Sequence, residues 1–297
     1  MSDSNTQPQI KNALQPSGYT FKATSGSSVP DDLLDKCAKL FSGHYGVWSA
    51  EAAVKVSTFL KAGQHVKLNA KKLRAQSLSP PESSVLVTCF EAASPDNLVG
   101  HAFATVWQYK GASQCHPPAL GKAGWITQLV VHPSHRRQYI ATYLLQHLKT
   151  HPLFQDVTAV GLASSHPASV AALAKYNDVN TKIHTISLPF IAKTAPLIIA
   201  TTPINYLKDA KLLGSLFRVS PAGSDSNPGV ISAIDTQFHV DHTEPLEVLK
   251  AFKDSASESG EEGGKGWVLG ELEEGHEFLI VVPVHHVWGK VTFKLVT

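Results

Sequence analysis

The segment richest in usable chemistry runs Trp125-Ile126-Thr127-Gln128-Leu129-Val130-Val131-His132-Pro133-Ser134-His135-Arg136-Arg137-Gln138-Tyr139-Ile140-Ala141-Thr142. An apolar run stops at a proline, and a short basic loop follows. A helical pattern then opens, with Ile140, Ala141, Leu144, Leu145 and Leu148 on one face. Backbone N–H groups in the first turn of a helix have no partner inside it. Together with the helix dipole they make a site for an anion, phosphate above all. Arg136 and Arg137 stand at that point, and a guanidinium pairs with phosphate through two hydrogen bonds. The bland alternative is an ordinary solvated helix start. Among the 15 histidines, His101 lies mid-strand, His132 where the apolar run ends, and His44 between two helices. An imidazole there could take a proton near neutral pH, or could simply be a hydrogen-bonded or surface ring.

This stretch resembles the acetyl-CoA site of the GNAT superfamily of N-acetyltransferases. The family signature is Arg/Gln-x-x-Gly-x-Gly/Ala after a strand of the Leu-x-Val-x-Pro kind. It is matched here by Arg136-Arg137-Gln138-Tyr139-Ile140-Ala141 after Leu129-Val130-Val131-His132-Pro133. The first and last positions fit, and Tyr139 replaces the middle glycine. That glycine lets the backbone come close to the pyrophosphate, since it has no Cβ. His166-Pro167-Ala168-Ser169 resembles the family's Asn-Pro-Ala-Ser helix start, with His166 for the Asn. The family's frequent tyrosine acid falls on Leu173, and Tyr176 is three residues further.

The resemblance implies transfer of an acetyl group from acetyl-CoA, as cosubstrate, to a primary amine of a small molecule or a protein, with no metal. It implies a pantetheine lying along the backbone of Leu129, Val130 and Val131. A strand N–H near Leu129 or Val130 would polarise the thioester carbonyl. The diphosphate contacts would come from Arg136, Arg137, Gln138, Tyr139, Ile140, Ala141 and Thr142, with His166 beside them. His101, His132 and His44 are the base candidates, and Tyr176 or Tyr143 the acid. In this family the loop holding His44 and Tyr45 lines the acceptor pocket. Tyr139 and Leu173 keep open a non-catalytic acyl-CoA-binding module; a structural or partner-binding protein is the other alternative.

The elements that must position these residues read as a mixed α/β fold. The spacing predicts helices over 30–44 and 69–78, a hairpin of strands 85–92 and 98–109 around Ser94-Pro95-Asp96-Asn97, a strand over 124–132, and a helix over 137–150. A strand over 157–163 and a helix over 167–176 complete a strand–helix–strand unit, which implies a parallel pair. Residues 182–200 read as strand-like, 203–217 as helical, 229–240 as a strand, and 243–253 as a helix. Residues 254–266 read as a flexible acidic loop, 267–283 as a hairpin, and 291–296 as a final strand. The expected organisation is a disordered lead-in over 1–18, a GNAT-like acetyl-CoA-binding domain over 19–190, and a C-terminal α/β extension over 191–297 that is a degenerate GNAT-like half, a lid over the acceptor side or a surface for self-association. Asp235, His239, Asp241 and His242 read as a solvated turn.

Composition narrows the alternatives. The 297 residues carry a net charge of +2, 43% hydrophobic and 17% charged residues. So small a charge argues against a nucleic-acid partner. Cys37, Cys89 and Cys115 are too few and too scattered for a disulfide framework or a four-cysteine zinc site. The longest apolar run, Phe278–Val284, falls short of the roughly 18 residues of a membrane span. The expectation is a cytoplasmic or nuclear protein with no membrane partner.

Overall fold

The computed structural model describes residues 16–110, 120–217, 229–258 and 266–285. Strand β1 (Tyr19–Ser25) leads to helices α1 (Asp31–His44), α2 (Ala52–Lys55) and α3 (Ala70–Ser77). Strands β2 (Ser84–Glu91), β3 (Ser94–Lys110) and β4 (Leu120–Val131) follow. Then come α4 (Ile140–His147), β5 (Ala159–Ser164), α5 (Pro167–Ala174), α6 (Leu188–Ile199) and α7 (Asn205–Lys208). The described chain closes with β6 (Lys211–Leu213), β7 (Ala233–Asp235), α8 (Thr243–Glu258) and β8 (Glu277–Pro283).

The strands form one mixed sheet in the order β1-β2-β3-β4-β5-β8-β7-β6. The pair β4–β5 is parallel, and α4 is its crossover; the other neighbours run antiparallel. Helix α1 buries Leu34, Cys37, Ala38, Leu40 and Phe41, with Asp31 and Asp32 in its first turn, where acids suit the dipole. Helix α3 is capped by Asn69, whose side chain accepts from the Lys72 N–H. These two helices pack over one cluster with Leu86, Phe103 and Val130. A larger cluster joins Ile140, Leu144 and Leu145 of α4 with Leu173 of α5, Ile198 of α6 and Ile280 of β8. Cys37 and Cys89 are buried free thiols; Cys115 lies outside the described residues. None of the described helices is long and apolar enough to cross a membrane.

The observed elements depart from the sequence reading in several places. The hairpin turns at Ala92 and Ala93, and Ser94–Asn97 belong to β3 as an irregularity opposite Phe90 and Glu91. Helix α4 starts three residues late, because Arg137 and Tyr139 adopt positive φ. The 182–200 stretch is a 3-10 turn and then α6. Pro189 sits in the first turn, where its missing N–H costs nothing, and Ser187 caps it by accepting from Phe190 N–H. The 203–217 stretch is not one helix; it holds α7, β6 and a 3-10 turn. In 229–240 only Ala233–Asp235 is a strand. Helix α8 runs on to Glu258. The 267–283 hairpin does not form, because β8 pairs with β5 and β7 instead. His239 and His242 are buried, not solvated. The strand expected at 291–296 and the lead-in over 1–15 lie outside the described residues.

Candidate active site

The parallel register of β4 and β5 runs from Ala123↔Ala159 to Ile126↔Leu162 and stops there. A bulge falls at the same level. Phe103 pairs with Gln128 and Ala104 with Ile126, so Thr127 has no partner on β3. Beyond it β4 continues beside β3 alone. The His132 N–H donates to Val99 O at 2.8 Å. Since strand residues alternate sides, Leu129 and Val131 turn their backbone groups away from β3, into the gap where β5 has parted. Val131 O accepts from Arg136 Nε at 3.3 Å. The Leu129 N–H is thus the strand donor aimed into the fork.

At the mouth of the fork the chain turns sharply. Pro133–His135 form a 3-10 turn, and Arg137 (φ 62°) and Tyr139 (φ 60°) then take left-handed conformations. Helix α4 begins at the next residue, with no side-chain cap on its first turn. Tyr139 holds the position of the motif glycine, and its backbone has the conformation that favours glycine. Its ring does not plug the turn. It is 57% exposed and lies against Lys175 Nζ, 4.7 Å from the ring centroid. Arg137 and Gln138 are also exposed; Gln138 Oε1 accepts from Tyr19 OH at 2.7 Å. Thr142 and Ile140 are buried, and Ala141 is partly so.

Arg136 turns the other way. It donates to His44 O at 3.3 Å and pairs with Glu244 at the start of α8. His166 Nε2 lies 3.8 Å from the same carboxylate oxygen, an ion-pair rather than a hydrogen-bond distance. Interaction with the His166 ring, and then the Arg136 charge, hold the Glu244 carboxyl down to about 2. The fold thus gathers Arg136 and His166 around an acid from α8, with His44 held to Arg136 through its backbone carbonyl. His132 joins this group, its ring 4.4 Å from that of His44. Burial, then the His132 and Arg136 charges, lower the His44 pKa.

The remaining candidates lie apart. His101 is fully buried, with Nε2 2.7 Å from Gln128 Oε1; burial pushes it down to about 4, so the ring is neutral at pH 7. Tyr176 belongs to the core under α4 and α5. Its hydroxyl has no hydrogen-bond partner, burial raises its pKa, and Lys149 Nζ lies 4.6 Å from its ring centroid. Tyr143 is 9% exposed, and burial raises it too.

A second group of polar side chains meets at the base of the fork; of its members sequence reasoning had singled out only Tyr45, through the loop it shares with His44. Glu277, the first residue of β8, is 6% exposed and accepts from Thr236 Oγ1 at 2.5 Å. Burial pushes its carboxyl up to about 7. Its charge reaches the hydroxyls of Tyr45 and Tyr206, which burial raises first. Tyr206 OH accepts from the fully buried Trp125 Nε1 at 3.1 Å, yet Tyr206 itself is 38% exposed. Tyr206 therefore reaches from the core indole to solvent. Gly161 makes room for that indole: a Cβ there would stand 2.4 Å from Trp125 Cζ3. Tyr45 packs on Phe41 and Phe238, with ring centroids 4.4 and 5.9 Å away. One sequence signal did exist for Glu277. An acid heading the apolar run Phe278–Val284 is carried into the interior by its strand. Tyr206 has no such marker.

A forked parallel strand pair, bulged at its branch point and closed by a left-handed turn into the crossover helix, defines an acyltransferase-type α/β fold. Residues 56–177 match the model of the Acetyltransferase (GNAT) family, and this part of the chain is a GNAT acetyltransferase domain. No curated protein matches the chain. Solved structures similar to it include the NatC complex bound to Gag peptide and CoA, at 12% identity and TM-score 0.34 over 54% of this chain and 83% of that one. An aminoglycoside acetyltransferase from an uncultured soil metagenomic sample is similar at 16% identity and TM-score 0.31, over 49% and 79%. A tetramutant of a Bacillus halodurans protein is similar at 14% identity and TM-score 0.33, over 48% and 81%. Scores of this size add nothing to the family match.

Proposed function

We propose that this protein transfers the acetyl group of acetyl-CoA to a primary amine. The observation that carries the reading is the fork: β4 leaves β5 after Ile126, beside the left-handed turn that leads into α4. In this reading the pantetheine runs along Leu129–Val131 as an added strand, and the Leu129 N–H holds the oxyanion that develops on the thioester carbonyl. The diphosphate lies on the first turn of α4, with Arg137 as its guanidinium partner. Arg136, tied to Glu244, frames the turn. The chain beyond residue 190 contributes the acceptor wall through Tyr206, Phe238 and Glu277.

The test is direct. Coenzyme A added to the protein should raise its Tm, and Arg137→Ala should weaken that binding by about 1.5–3 kcal/mol, the value of a charged hydrogen bond. Free thiol should appear when acetyl-CoA and a panel of primary amines are supplied. Binding without thiol release would establish a non-catalytic acyl-CoA-binding module, the reading that Tyr139 at the glycine position favours. Absence of both binding and release would overturn the proposal.

A further inference from the structure

We propose that Glu277 is the general base of the acetyl transfer, receiving the proton of the acceptor ammonium between the hydroxyls of Tyr45 and Tyr206. The inference rests on the acetyltransferase reading and names the residue that reading lacks. None of the three histidines offered by the sequence suits the task. His101 is sealed beneath α1 with its ring bonded to Gln128. His44 and His132 stand beside Arg136 past the end of β4, His132 three residues beyond the Leu129 N–H that would hold the oxyanion.

Glu277 occupies the other end. Its neighbour Phe278 pairs with Ser164, two residues past the last β4–β5 pair, so β8 delivers the carboxyl beside the parted strand. Tyr206 marks the same level through its bond from Trp125, one residue before β4 leaves β5. The groups facing the carboxyl come from three elements: Tyr45 after α1, Tyr206 on α7 and Thr236 after β7. None of them is a cation, so among the described residues no lysine or arginine holds the acid permanently ionised. An arriving ammonium supplies the missing positive charge. Its proton passes to a Glu277 oxygen, and the freed nitrogen lone pair forms the N–C bond at the thioester carbonyl carbon. The C–S bond breaks, and the second proton of the attacking nitrogen passes to the departing sulfur. Glu277 returns its proton to solvent past the partly exposed Tyr206. A carboxyl that burial has moved up to about 7 is matched to such a transfer at neutral pH.

The experiment compares wild type, Glu277→Gln and Glu277→Asp. Glutamine keeps the acceptor for Thr236 but cannot take a proton. Coenzyme A affinity is measured by calorimetry, and kcat/KM from thiol release over pH 5.5–9 with the best amine of the panel. In wild type kcat/KM should rise with pH to a plateau above about 7. Glu277→Gln should lose about 100-fold or more on that plateau and lose the acid limb, with coenzyme A affinity unchanged. Glu277→Asp should recover the limb at an intermediate rate. Turnover within threefold of wild type, or an unchanged acid limb in the glutamine variant, would overturn the base assignment and leave the acetyltransferase standing. A wild-type protein that neither binds coenzyme A nor releases thiol would overturn both. Should the glutamine variant not fold, Glu277→Asp decides alone: a rate and limb equal to wild type refute the proposal, and a lowered rate with a displaced limb supports it.

Discussion

Tyr139 offers the sharpest test of the turn. A non-glycine residue at φ 60°, ψ 9° carries a left-handed penalty of about 1–2 kcal/mol. Its exposed ring gains about 0.5–1 kcal/mol against Lys175. Tyr139→Ala removes the ring and keeps the penalty, so it should cost about 0.5–1 kcal/mol. Tyr139→Gly removes both. Glycine also frees the unfolded chain, which offsets about 0.4–1 kcal/mol of the relief. The glycine variant should therefore fall within about 1 kcal/mol of wild type and exceed the alanine variant by about 0.5–1 kcal/mol. Urea unfolding of the three proteins measures these differences. Calorimetric titration with coenzyme A supplies the functional arm, and the glycine variant should bind most tightly, because the diphosphate can then approach the bare backbone. An alanine variant as stable as the glycine variant, with equal affinity for coenzyme A, would refute the idea that this position is a glycine site filled by tyrosine.

Other outcomes follow from the same geometry. Burial holds the His101 pKa down to about 4, against about 6.5 for a free imidazole, so its neutral form stabilises the fold above pH 6.5. That contribution, about 3 kcal/mol at most, is lost as pH falls from 6.5 to 4; urea midpoints across that window should drop more in wild type than in His101→Gln. Glu244 has its pKa lowered to about 2, so its stabilisation is present above pH 4.5 and lost as pH falls towards 2. Because the side chain is 59% exposed, solvent screening limits this to about 1 kcal/mol, and Glu244→Gln should reduce the acid-side loss of unfolding free energy by that amount in urea titrations. Gly161→Ala would force a Cβ against the Trp125 ring. It should cost about 1–3 kcal/mol and, by moving the indole that bonds Tyr206, lower kcat more than coenzyme A affinity.

The parts of the fold legible in the sequence are those whose signal is local. Alternation of Val99, His101, Phe103, Thr105 and Trp107 made β3 visible, and the helical spacing of Leu34, Cys37 and Phe41 made α1 visible. The strand, proline and basic turn at 125–142 made β4 and the entry into α4 visible. What failed was set by partners far away in the chain. Residues 188–199 are apolar and proline-bearing, so they looked extended; packing of Ile191, Ala195 and Ile198 into the core and the Ser187 cap make them a helix. Residues 267–273 looked like half of a hairpin, but β8 found a better partner in β5. The grouping of polar side chains around Glu277 escaped for the same reason. Tyr45, Tyr206, Thr236 and Glu277 are scattered over the chain and converge only once the sheet closes.

The seat of β8 has a consequence for how the molecule comes into being. Ser164 and Phe278 are partners more than a hundred residues apart, so β5 emerges during synthesis long before its outer neighbour exists. Until then one edge of an apolar strand stands bare, open to pairing with another nascent chain. Closure across so long a span is slow. A holding chaperone that shields this edge should raise the yield of folded protein, and acetyl transfer should become detectable only after the segment bearing Glu277 has left the ribosome.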